Sequence, residues 1–152
     1  MAALHESDLR LFVDSITRYF AVTGRDAPHI AAAWLGMEAL ALHDFHGIVS
    51  FSGRFTGQVI VSLPAAALRE LLLLQHETDL SDANLLDAVG EIANTLAGNA
   101  RAALGSGLEI SVPQTVAGSA ARLPRVRAHP YVIAFRWNTW PGLVCVDLDR
   151  RA

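Results

Sequence analysis

Apolar residues recur at helical spacing most clearly between Ser81 and Gly105, where Leu85, Val89, Ile92, Leu96 and Ala100 fall three or four apart. Leu86, Ala93, Ala97 and Leu104 widen that stripe. Ser81 suits an N-cap, Asp82 adds negative charge to the first turn, and Gly105 suits the stop with Arg101 in the last turn. A first amphipathic helix is predicted from about Ser7 to Val22, with Leu9, Phe12, Val13, Ile16 and Phe20 on one face and Gly24 and Pro28 marking its end. Ile48–Phe51 and Gln58–Ser62 are β-branched runs around Gly53–Gly57, a hairpin signal. Pro64 opens a short helix over Ala65–Gln75. Leu108–Val112 alternates as a strand ending at Pro113. Tyr131–Asn138 and Leu143–Leu148 are the last two strands, joined by Thr139–Gly142. The stretch from Ile30 to Phe45 suits a helix as well as a strand by composition.

The polar face of the longest helix carries the chemistry. Asn84, Asp87, Glu91, Asn94, Gly98 and Arg101 share it at helical spacing, and Glu91 and Asn94, three apart, point the same way. Gly90 sits beside the pair and Gly98 lies one turn beyond. Glycine inside a helix costs about 0.5–1 kcal/mol relative to alanine. Two such costs beside a carboxylate and an amide imply that something large approaches this face closely.

The run Asp87-Ala88-Val89-Gly90-Glu91-Ile92-Ala93-Asn94-Thr95-Leu96-Ala97-Gly98-Asn99-Ala100 resembles the central helix of the CheC/CheX family of chemotaxis phosphatases. That family's mark is an E-x-x-N pair within a longer D-A-x-G-E-x-x-N-x-x-x-G-N pattern. The hairpin followed by Pro64 resembles the family's G-x-x-x-G-x-V hairpin, and Ile110–Gly118 resembles its I-S-x-P-x-x-V-x-G stretch. The resemblance spans about residues 45–150 and is strongest over 87–118. CheC-type relatives carry two E-x-x-N helices and this chain carries one, which points to the single-site CheX type. In the family the segment before the hairpin is extended, so part of Trp34–His43 is expected as strand. Together with the antiparallel runs, the expectation is a single α+β domain over 1–152, an antiparallel-rich β-sheet with three main helices packed on it, CheC-like.

The resemblance implies a function: removal of the phosphoryl group from the phosphoaspartate of a CheY-like response regulator, in chemotaxis or a related two-component pathway. Phosphoryl transfer asks mostly for positioning and charge stabilisation. A carboxamide donates and accepts hydrogen bonds without titrating, so Asn94 suits holding a water in line with the scissile bond. Glu91 is repelled by phosphate oxygens and suits pairing with a cation on the partner. Asp87, Gly90 and Gly98 are the expected partner-binding positions. The chain needs no cofactor of its own, since the partner supplies Mg²⁺, and no metal site is expected. A homodimer is expected, as relatives pair through sheet edges. The alternative is a non-catalytic receiver-binding scaffold of the same fold, which non-catalytic relatives in the flagellar switch share.

Composition narrows the rest. Apolar residues are 52% and charged residues 18%, which favours a well-buried domain. The net charge of −3 offers no electrostatic reason for nucleic-acid binding. All basic residues are arginine, which excludes a P-loop, a Schiff base or a Ser-Lys dyad. Cys145 stands alone and fits a reducing cytoplasm; it reads as a small buried residue. The first residues, MAALHESDLR, show no secretory pattern, and Leu71–Leu74 is too short to span a bilayer. His43 and His46, flanking Asp44, lack a third metal ligand and read as an ordinary pair at a loop edge. Ser50, Ser62 and Ser119 lack a nucleophile elbow. Trp34, Trp137 and Trp140 read as core or dimer contacts, and Arg122, Arg125 and Arg127 as a basic loop facing solvent or an acidic partner.

Overall fold

The computed structural model describes residues 2–35, 42–105, 107–118 and 130–150. Among them eight antiparallel strands form one sheet and three helices pack against it. In chain order these are β1 (Ala2–Ala3), α1 (Glu6–Val22), β2 (His29–Leu35), β3 (Phe45–Gly53), β4 (Phe55–Leu63), α2 (Ala65–Leu74), α3 (Asp82–Leu104), β5 (Leu108–Ile110), β6 (Gln114–Ala117), β7 (Tyr131–Trp137) and β8 (Trp140–Arg150). The order across the sheet is β2-β7-β8-β4-β3-β5, with β1 pairing β8 and β6 pairing β3.

Alternation along the strands divides the sheet into two faces. Val49, Val59, Val61, Ile133, Val144 and Val146 point to the helices and are fully buried against Phe12, Ile16, Leu85, Ile92 and Leu96. Ile48, Ile60, Cys145 and Val132 form one cross-strand row on the opposite face, and Ile48, Ile60 and Cys145 cluster there with Val116. Cys145 is accordingly buried. α1 closes against β7 through Phe20, whose ring lies 5.2 Å from Trp137 and 5.3 Å from Phe135. Trp137 is therefore core. The Trp140 indole N–H instead donates to Glu70 of α2.

Several boundaries differ from the sequence reading. The early strand begins earlier, at His29, and takes in Trp34 and Leu35 of the expected Trp34–His43 stretch, of which residues 36–41 lie outside the described residues. Its alanines hide it, because pairing with β7 rather than side-chain propensity makes it extended, with a bulge between Ile30 and Ala32. The β3–β4 hairpin turns at Arg54 alone, so both strands run further into the glycine-bounded segment than expected. β7 and β8 meet in a two-residue turn at Asn138 and Thr139, with Asn138 at φ 54°; Trp140 to Gly142 are strand, not connection. β5 stops at Ile110. Pro64 occupies the N-cap of α2, and the Asp44 carboxylate accepts the Ala65 N–H at 2.9 Å in place of a local cap.

Candidate functional site

α3 begins and ends where its signals lie. The Ser81 hydroxyl accepts the Asn84 N–H at 3.4 Å, and Gly105 adopts φ 94° while its N–H bonds the Arg101 carbonyl. Leu85, Val89, Ile92, Ala93, Leu96, Ala97 and Ala100 are buried, while Asp87, Glu91 and Asn94 are exposed. The acid and the amide thus stand about one turn apart on the open side of a 23-residue helix whose other side is bolted to the sheet.

That bolting is close. A Cβ on Gly47 of β3 would run into the Val89 carbonyl and lie 3.1 Å from the Ala93 Cβ, so only glycine lets α3 sit this near the sheet. A second tie runs to α1: the Asn99 amide donates to the Ser15 hydroxyl at 2.8 Å. Glu91 and Asn94 therefore project from a backbone held on two sides.

Gly90 and Gly98, paired by sequence as partner-facing positions, part company. Gly90 is buried, and a Cβ there would lie 2.9 Å from Thr115 Cγ2 and 3.7 Å from Pro113 Cβ. Its smallness serves the protein's own β5–β6 connection. Nothing lies within 4 Å of a Cβ on Gly98, so that position is open. Beside Pro113, Val112 is 83% exposed.

Tyr19 of α1, which the sequence did not single out, is half-buried. Burial, then the negative charge of Glu91, pushes the Tyr19 phenol up to about 12, with hydrogen bonds to the Thr23 and Gln75 side chains opposing. Two helix ends build this corner. Thr23 caps α1 through the Tyr19 carbonyl, and Arg25, at φ 60°, donates to the Leu74 carbonyl of α2 at 3.0 Å. α2 ends at Gln75, followed by His76 at φ 62° and a Glu77 N–H bond to the Leu72 carbonyl, which is the Schellman arrangement.

Of the histidine pair, His43 lies in the loop before β3 and His46 lies within the strand. His46 is fully buried in β3, its Nε2 2.8 Å from the Gly118 carbonyl and its Nδ1 3.1 Å from Ser62 Oγ. The carbonyl only accepts, so Nε2 carries the proton, and in the neutral ring Nδ1 accepts from Ser62. Ser62 in turn accepts the His43 N–H at 2.8 Å. Burial first, with His46 adding and Asp44 opposing, holds the His43 imidazole below its ordinary pKa. This chain of bonds anchors the far end of β6, the segment lying over Gly90. Among the described residues no group of three His, Cys, Asp or Glu is placed to hold a metal ion, and no helix is long and apolar enough to cross a membrane. Ser119, Arg122, Arg125, Arg127 and the Trp34 side chain lie outside the described residues.

The family described as chemotaxis phosphatase CheX matches residues 45–136, a span that includes the whole of α3. The chain belongs to the CheX family. Among curated protein sequences none matches it significantly. Solved structures share its fold across nearly the whole chain. A CheC-like superfamily protein from Shewanella sp. PV-4 superimposes with a TM-score of 0.84 at 17% identity, covering 96% of this chain and 99% of that one. The chemotaxis protein CheX from Desulfovibrio desulfuricans does so with 0.80 at 22% identity, covering 95% and 99%. CheX from Borrelia burgdorferi, solved as a CheX–CheY–BeF3–Mg²⁺ complex, gives 0.75 at 16% identity, covering 93% and 97%.

Proposed function

We propose that the chain is a phosphatase acting on the phosphoaspartate of a CheY-like receiver domain in chemotactic or related two-component signalling. The observation that carries this reading is the exposed Glu91–Asn94 pair on a rigidly seated helix, within a chain of the CheX family. The receiver brings its own Mg²⁺ and phosphoryl group, so the chain supplies only what is missing. The Asn94 carboxamide accepts one hydrogen of a water and orients its lone pair along the P–O axis, and hydrolysis returns a free aspartate and inorganic phosphate. The Glu91 carboxylate pairs with a receiver cation and sets the register of docking. Asp87, one turn before Glu91, extends the same negative edge, and Gly98 leaves room for the partner's backbone. The active species is a cytoplasmic homodimer joined through sheet edges, which a solution mass at micromolar concentration checks.

The arrangement fits enzymology without a covalent intermediate on the chain. A time course of receiver dephosphorylation with and without the protein tests the reading: acceleration supports it. Binding of the phosphorylated receiver without acceleration refutes the enzyme and leaves the non-catalytic scaffold of the same fold.

A further inference from the structure

We infer that the surface depression at the C-terminal end of α3 is a second anchor for the receiver, where Arg101 pairs with a carboxylate of the receiver's surface. The inference deepens the proposed function and rests on it. The depression holds about 560 Å³ and is lined by Gly98, Arg101 and Ala102 of α3 and by Gly105, Gly107 and Leu108 beyond it. Its helix side is open at Gly98, since nothing lies within 4 Å of a Cβ placed there. It also belongs to the face that carries the acid–amide pair. At about 100° per residue, Arg101 lies roughly 80° round the helix from Glu91, and Asn94 and Gly98 fall between them. A rise of about 1.5 Å per residue sets Glu91 and Arg101 about 15 Å apart along the axis.

The charges around the depression decide its ligand. Among the described residues no acid lines it and none pairs with Arg101, which is exposed. Nor is the Arg101 side chain needed to finish the helix. The Arg54 guanidinium donates to the Leu104 carbonyl at 3.1 Å, and the Gly105 N–H donates to the Arg101 carbonyl at 3.2 Å, so carbonyls of this helix end are already engaged. Arg54 Nη1 also lies 3.6 Å from a Cβ placed on Gly105, which brings a second guanidinium to the rim. The depression is therefore cationic, and the arginine fork matches a carboxylate. Asp87 and Glu91 make the other end of the same face anionic. A receiver held only by its cation at Glu91 is free to swivel about that contact. A carboxylate at Arg101 removes the swivel, and docking in the reverse sense sets like charges together. Arg101 stands about 10 Å along the axis from Asn94, too far to touch the phosphoryl group, so it acts on docking.

The test uses a purified CheY-like receiver loaded with beryllofluoride and Mg²⁺, titrated against wild type, Arg101→Gln, Arg101→Glu, Glu91→Gln and the double variant Arg101→Gln with Glu91→Gln. Arg101→Gln is expected to raise Kd about three- to tenfold and Arg101→Glu at least about tenfold. Turnover of phosphorylated receiver at saturation should stay within about twofold of wild type, with the urea midpoint unchanged. Because the two anchors are about 15 Å apart, the losses from Arg101→Gln and Glu91→Gln should add. Replacing the receiver's exposed Asp and Glu residues with Lys, one at a time, should yield one variant that restores affinity to Arg101→Glu. Unchanged affinity in both Arg101 variants overturns this inference, while acceleration by wild type keeps the phosphatase reading standing. An equal gain at every scanned receiver position, or a gain at none, overturns it too, because the arginine then acts by long-range attraction without a partner of its own. If wild type binds none of the receivers, both fall.

Discussion

Replacing Gly90 and Gly98 with alanine, one at a time, separates two reasons for glycine in a helix. At Gly98 a methyl group meets nothing within 4 Å, so only the intrinsic helix preference changes. The expected gain is about 0.5–1 kcal/mol, worth roughly 1–4 °C in Tm for a chain of this length. At Gly90 the same gain is opposed by Thr115 Cγ2 at 2.9 Å, a branch fixed close to the β6 backbone with no long side chain to swing away. Overpacking of this kind costs about 1–3 kcal/mol, so the net expectation is a loss of about 1 kcal/mol. The paired change Gly90→Ala with Thr115→Ser removes the obstructing methyl and should recover most of that loss, a coupling of about 1 kcal/mol. Equilibrium denaturation in urea with a shared m-value measures wild type, the two alanine variants, Thr115→Ser and the paired variant. Should Gly90→Ala prove as stabilising as Gly98→Ala, the β5–β6 connection does not press on α3, and the account of Gly90 is wrong.

Gly47→Ala is the harsher test of how α3 is seated, because the new methyl meets backbone at Val89 that cannot move without the helix; a loss of about 3 kcal/mol is expected in the same denaturation assay. His46→Leu should cost about 2–4 kcal/mol, since it fills the site but leaves Ser62 Oγ and the Gly118 carbonyl without their partner; a loss under 1 kcal/mol would count against the bonded chain from His43 to Gly118. Tyr19 makes stability alkali-sensitive. Its folded pKa lies above the unfolded one, so the folded state holds the proton longer, and the contribution is whole below pH 10 and drains away as pH rises toward 12. Wild type should lose about 2 kcal/mol over that window that Tyr19→Phe keeps, read as the difference between their pH–stability curves.

What the sequence made legible was whatever is local to one segment. α3 announced itself through its cap, its stripe and its terminal glycine, and the acid–amide pair was readable because both residues sit on that one helix. The β3–β4 hairpin was equally plain from β-branched runs. β2 was obscured because its alanines favour a helix and only the neighbouring β7 makes it a strand. Gly90 and Gly98 look alike in sequence, and the difference between them comes from Thr115, a residue on a separate strand. His46 looked like a loop residue until the sheet enclosed it between Ser62 and Gly118. Tyr19 carried no signal at all, since the burial that raises its pKa arises from how the helices pack, which no spacing within a helix encodes.

Phosphate release from phosphorylated CheY-like receivers, followed with wild type and Asn94→Ala side by side, tests the central claim most directly. The carboxamide faces solvent, so its loss leaves the core intact and isolates its chemistry. The account predicts acceleration by wild type and a fall of at least about 100-fold in that acceleration for Asn94→Ala, with receiver binding retained through Glu91. Acceleration that survives the substitution would contradict the assignment of the water to Asn94, and tight binding without any acceleration by wild type would contradict the enzyme itself.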